Sequence, residues 1–78
     1  MVKRNIVLGN VANVQEFNRI CGHMDFDVDL TQGKYLVDAK SIMGIFSLDL
    51  SKPINLNIHA EGSTLDTILT IVQPYVIE

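Results

Sequence analysis

Tryptophan is absent from the sequence, cysteine occurs once and proline twice, and six Lys and Arg residues stand against nine acids. Each scarcity removes a class of function. The lone Cys21 has no partner for an internal disulfide, which fits a reducing compartment, and its apolar-spaced neighbours assign it to core packing. The bases Lys3, Arg4, Arg19, Lys34, Lys40 and Lys52 are scattered and the net charge is −3, so no basic stripe is available for nucleic acid. With three Phe and two Tyr spread along the chain, a base-stacking platform is excluded as well. No apolar run approaches the roughly 20 residues of a membrane span, and the start, MVKRNIVLGN, lacks the long apolar region of a secretory signal. The expectation is a cytoplasmic protein whose partners are other proteins.

Seventy-eight residues hold one domain, residues 1–78, with one modest core. Val2 to Leu8 reads as a strand that ends in the dense run Ile6, Val7, Leu8 and is stopped by Gly9-Asn10. Beyond it Val11, Val14, Phe17 and Cys21 recur at intervals of three and four, with Ile20 and Met24 on the same side, which predicts an amphipathic helix. Asn13 with Glu16 has capping-box spacing, and Asn10 is an equally good cap one turn earlier. Gly22 is expected to end the helix in a left-handed conformation.

Asp25 to Thr31 alternates Phe26, Val28 and Leu30 with Asp25, Asp27 and Asp29, the mark of a half-buried strand. The three aspartates share one strand face and lack the Gly-turn and distal Glu of a calcium loop, so no metal site is expected and no cofactor is implied. Gln32-Gly33-Lys34 makes a turn, and Tyr35 to Ala39 returns as the second arm of a hairpin. Ser41 then caps a helix expected to run to about Leu50, with Pro53 forbidding its continuation. Ile54 to Glu61 alternates again, Ile54, Leu56, Ile58 and Ala60 against Asn55, Asn57, His59 and Glu61. After Gly62, Ser63 is the expected cap of a last helix with the stripe Leu65, Ile68, Leu69 and Val72, ended by Pro74.

The order β-α-β-β-α-β-α, with one-faced strands and helices to cover one side, predicts an α+β open-faced β-sandwich: a four-stranded, mostly antiparallel sheet with three helices on one face. The stretch KSIMGIFSLDL is the focus. Ile42, Met43, Ile45, Phe46 and Leu48 are more apolar residues than one buried helix side needs. Either the helix is wholly buried, or the surplus forms an exposed contact surface.

KSIMG, the preceding DFDVDLTQGKYLVDA, the following INLNIHAEG and the topology together resemble the small phosphocarrier protein HPr of the bacterial sugar phosphotransferase system. That resemblance implies two phosphorylation sites. One is a histidine at the start of the first helix, in a His-Ala-Arg-Pro motif, which takes a phosphoryl group from phosphoenolpyruvate through enzyme I. The other is the serine of KSIMG, modified by the ATP-dependent HPr kinase/phosphorylase in low-GC Gram-positive bacteria. Counting back from KSIMG, the histidine's place falls at about Asn10, and Asn13-Val14 stands where Arg-Pro is expected. An asparagine amide is no nucleophile for phosphorus. The serine is present as Ser41, whose bare reading is a helix cap.

The resemblance therefore implies a divergent, non-enzymatic member similar to catabolite-repression HPr-like proteins, regulated at Ser41 and docking through Ile42, Met43 and Phe46. Its implied partners are HPr kinase/phosphorylase, a catabolite-control transcription factor and other phosphotransferase-system proteins. Two alternatives stand beside it. One is a phosphocarrier in sugar transport that uses His23 or His59; the other is a structural module, self-associating as a homodimer, with no phosphorylation.

Overall fold

Three segments that alternate apolar and polar residues meet in one sheet of a computed structural model that describes residues 2–77. The elements are β1 (Val2–Ile6), α1 (Val11–Gly22), β2 (Val28–Gln32), β3 (Tyr35–Asp38), α2 (Ile42–Phe46), β4 (Ile54–Ile58) and α3 (Gly62–Val72), followed by a 3₁₀ turn over Gln73–Tyr75. The sheet order is β1-β4-β2-β3, and every pairing among the described residues is antiparallel. The expected α+β open-faced sandwich is thus the observed one. Leu30 pairs with Leu56 at its centre, and both are fully buried together with Ile6, Ile54 and Ile58. Phe17, Val14 and Cys21 of α1, Ile45 of α2, and Ile68 and Val72 of α3 close the core over that face.

The hairpin turn is a two-residue one, with Gln32 opposite Tyr35. Gly33 has φ +60°, the conformation that a twisted hairpin requires at its first central position and that glycine adopts without strain.

Several boundaries differ from the periodicity, each for a local reason. β1 stops at Ile6 because the Val7 N–H turns to the Tyr75 carbonyl (3.0 Å) and Gly9, at φ +83°, redirects the chain. β2 begins at Val28, so Asp25 and Asp27 precede the strand, although Asp27 still lines the same groove as Asp29. Gly22 has no positive φ; His23, with φ −91°, is the helix cap instead. Val11 is exposed at the helix start, whereas Val14, Phe17 and Cys21 carry the buried stripe. Ser63 does not cap α3, which starts at Gly62 with Glu61 as a cap that makes no side-chain bond.

The largest difference is α2. It ends at Phe46, well short of Leu50, because the Ser47 hydroxyl bonds back to the Gly44 carbonyl and Gln32 fastens Asp49 in a non-helical turn. Beyond the sheet, residues 75–77 lie along β1. Val76 forms a bridge with Ile6, and the Ile77 N–H donates to the Asn5 carbonyl (3.0 Å).

Candidate functional site

Two places are expected from the sequence to matter: the segment from Ser41 through α2, and the start of α1. A short return from β3 sets the position of the first. The Asp38 carboxylate accepts the Lys40 N–H (2.8 Å), and the Asp38 carbonyl accepts the Ser41 N–H (2.9 Å), so the chain reverses within three residues. Asn18 on α1 donates to the Ala39 carbonyl (3.2 Å), and Lys40 donates its ammonium to the Met24 carbonyl (2.9 Å). The first bond ties α2's entrance to α1 and the second to the segment just after it.

Ser41 is the N-cap, with extended backbone and its Oγ accepting the Gly44 N–H at 3.3 Å. That bond is long, and the hydroxyl sits on an exposed residue. Space at Gly44 is tight: a Cβ at this position would lie 3.1 Å from the Val37 Cβ and 3.3 Å from the Ser41 Oγ. With glycine, α2 lies directly on β3.

The helix divides its apolar residues between two environments. Ile45 is fully buried and Ile42 packs half-buried against the core, whereas Met43 is 78% exposed and Phe46 38% exposed. The wholly buried reading of α2 is therefore excluded for Met43 and Phe46. Ile42 is the least accessible of the three expected contact residues.

At the start of α1, Asn10 is the N-cap, and the Asn13–Glu16 box is not formed. The Asn10 Oδ1 accepts the Asn13 N–H (2.8 Å), and the Asn13 amide donates to the Leu8 carbonyl (2.6 Å). Two asparagines thus lock the loop with amide chemistry that offers no nucleophile.

The sequence reading missed a second polar constellation on the open face of the sheet. Asn57 is buried, not solvated: its amide donates to the Asp29 Oδ1 (2.7 Å) and more weakly to the Thr31 hydroxyl (3.4 Å). The other Asp29 oxygen lies 2.8 Å from the His59 Nε2. Alternation alone placed these residues on one face, but only the strand register brings Asp29 opposite Asn57. Asp27, Asp38 and Leu36 line the adjoining shallow groove, which surrounds His59 with acids. His23 is remote in role, capping α1 through its backbone N–H.

Cys21 is buried in the core, and burial pushes its thiol up to about 12, far from the reactive range. After α2, the bonds that Ser51 donates to Asp49 hold that carboxyl below its usual range.

Comparison with known proteins bears on the whole assembly. The family model described as the PTS HPr component phosphorylation site matches residues 12–76, a span that contains Ser41 and begins just after Asn10. Among solved structures, the chain is similar to the crystal structure of HPr-C-His from Thermoanaerobacter tengcongensis, with a TM-score of 0.73 at 20% identity. The match covers 94% of this chain and 92% of that one, a likeness of fold. No curated protein matches.

Proposed function

We propose that this chain, which belongs to the HPr family of the phosphotransferase system, serves as a regulatory and binding module through Ser41 and α2. In this reading it does not carry a phosphoryl group on a histidine at the start of α1. The observation that carries the reading is the contrast between the two helix starts. At α1 the capping residue is Asn10, with its side-chain oxygen committed to the Asn13 N–H. At α2 the capping residue is Ser41, a hydroxyl on an exposed residue held by one long bond, with Met43 and Phe46 exposed on the helix that follows.

The chemistry at Ser41 is transfer from ATP. The Ser41 Oγ attacks the γ-phosphorus, the O–P bond forms as ADP leaves, and the hydroxyl proton passes to a base of the kinase. The added group carries about −1.5 to −2 charge at pH 7. A five-residue helix has little dipole to answer it, so the modification acts on partners and not on the fold. Placed beside Met43 and Phe46, the charge changes which surfaces the apolar patch accepts. The partner classes are HPr kinase/phosphorylase for the free form and a catabolite-control transcription factor for the phosphorylated form.

The test is intact mass after incubation with ATP and HPr kinase/phosphorylase, beside Ser41→Ala and beside a tube of enzyme I with phosphoenolpyruvate. One added phosphate in the ATP tube, absent from Ser41→Ala, is the expected result. Met43→Ala with Phe46→Ala should leave the fold intact and slow the modification. Label from phosphoenolpyruvate on His59 or His23 would overturn the reading in favour of a phosphocarrier using another residue. No added mass in either tube would overturn it in favour of a structural module.

A further inference from the structure

The two edges of the sheet are treated differently. Along β1, the Asn5 carbonyl accepts the Ile77 N–H and the Lys3 carbonyl accepts the Arg4 guanidinium, so the chain's own atoms occupy that side. β3 is the opposite edge, and no described strand lies beyond it. Its parity is fixed by the Ala39 N–H, which donates to the Val28 carbonyl at 3.0 Å. Counting back in twos along the antiparallel ladder, Val37 and Tyr35 aim their backbone groups at β2; Leu36 aims both of its groups outward, as does the Asp38 N–H, while the Asp38 carbonyl is taken by the Ser41 N–H.

The side chains on this edge are also exposed. Leu36 is 67% exposed and Tyr35 63% exposed, in a strand with no proline and no bulge to deter pairing. Val37 faces α2, since it is the residue a Cβ on Gly44 would strike, and Leu36 therefore points to the open face of the sheet.

We propose that β3 pairs with β3 of a second copy of this chain, antiparallel about a two-fold axis through Leu36, joining two four-stranded sheets into one of eight strands. A two-fold antiparallel pair can be centred on a residue whose N–H and C=O face outward or on one that lies between two such residues. Centring on Tyr35 sets Lys34 against Leu36, and centring on Val37 sets Leu36 against Asp38 and Lys34 against Lys40. Centring on Lys34 sets Lys34 against Lys34 inside the hairpin turn. Centring on Asp38 sets Asp38 against Asp38 and runs the pair into the reversal before Ser41. Only the Leu36 centre opposes unlike charges: Leu36 meets Leu36, Tyr35 meets Val37, and Lys34 meets Asp38, twice over by symmetry. The Leu36 N–H and C=O exchange bonds with their copies. Charge complementarity thus selects a second copy, in one register, as the occupant of this edge.

The pairing uses neither the Ser41 hydroxyl nor the exposed side chains of α2. With four residues per strand, the contact belongs to the weak class of interfaces, below about 1,200 Å² in total. Sedimentation equilibrium of the full chain from micromolar to millimolar concentration tests it, with amide protection at Leu36 followed over the same range. The expected result is a reversible monomer–dimer equilibrium, with Leu36 protection rising with concentration and association weakened by salt. Leu36→Lys and Lys34→Glu should each weaken the dimer by roughly tenfold or more, because each change acts twice across the axis. Met43→Lys should leave it unchanged. A chain that stays monomeric at millimolar concentration, or a dimer lost in Met43→Lys but kept in Leu36→Lys, overturns the proposal.

Discussion

Gln32, the last residue of β2, holds both backbone groups of Asp49: the Gln32 Oε1 accepts the Asp49 N–H at 2.8 Å, and its Nε2 donates to the Asp49 carbonyl at 2.9 Å. The same Nε2 reaches the Pro53 carbonyl at 3.3 Å. One side chain therefore satisfies the irregular segment that follows α2. Gln32→Ala should cost about 1–2 kcal/mol, the net worth of two hydrogen bonds at a partly wet site. Gln32→Glu keeps the acceptor for the Asp49 N–H but sets a carboxylate against two carbonyl oxygens, and should cost at least as much. Denaturant unfolding reads both, and faster hydrogen exchange at the Asp49 amide would locate the loss.

Gly44 decides how closely α2 can lie on β3. Alanine there gains up to about 1 kcal/mol of helix propensity. Against that gain, its Cβ would press the Val37 Cβ at 3.1 Å and the Ser41 Oγ at 3.3 Å, disturbing a cap worth about 1 kcal/mol. Gly44→Ala should therefore fall within about 1 kcal/mol of the parent in stability. Gly44→Val adds methyl groups in the same space with a poorer helix former, and should destabilise by about 2 kcal/mol or more. Thermal unfolding of the two variants separates the terms; a Gly44→Val protein as stable as the parent would show that α2 can lift from β3 freely.

These two residues show where reading the sequence stopped. The fold class was legible because Val28 and Leu30, Ile54 to Ile58, and the Val14, Phe17, Cys21 stripe each carry a period that their own neighbours do not contradict. The end of α2 was not. Leu48 and Leu50 continue an apolar pattern that suits a helix, and the agent that breaks it is Gln32, some seventeen positions away in sequence. Asn57 failed for a similar reason: alternation gave its face, but burial came from lying between Asp29 and Thr31, which depends on register. At the candidate site, Ser41 as cap was readable from the sequence, but composition left open whether the surplus apolar residues were buried; the resemblance singled out Met43 and Phe46, and the structure leaves both exposed because α2 is only five residues long.

Cys21 links the core to alkaline pH. Burial raises its thiol from an ordinary 9.0 to about 12, so the folded chain keeps a proton that the unfolded chain gives up first. The stabilisation this provides is fully present below pH 9 and is lost progressively as pH rises towards 12, at up to about 1.4 kcal/mol per pH unit. Other groups titrate in that window, so the measurement is a comparison. Unfolding free energy followed from pH 8 to 11 should fall more steeply in the parent than in Cys21→Ala, which is less stable throughout but has no thiol to ionise. Parallel slopes would mean that the thiol is not sealed from water.

Tyr75 fastens the end of the chain to the first helix and the first strand together. Its ring meets Phe17 edge to face, with centroids 5.7 Å apart and planes at 88°, and its carbonyl accepts the Val7 N–H at 3.0 Å. The ring contact and the backbone bridge reinforce each other, because the residues that pair with β1 are placed by a side chain seated on a buried one. Tyr75→Ala should cost about 1.5–3 kcal/mol, less than a fully buried aromatic because Tyr75 is only half-buried. Tyr75→Phe keeps the edge-to-face pair and should stay within about 0.5 kcal/mol of the parent. Amide exchange distinguishes a local from a global effect: in Tyr75→Ala the Val7 and Ile77 amides should lose protection before those of β4. If Val7 kept its protection there, the tail would be held by the Ile6–Val76 bridge alone, and the aromatic pair would contribute packing without position.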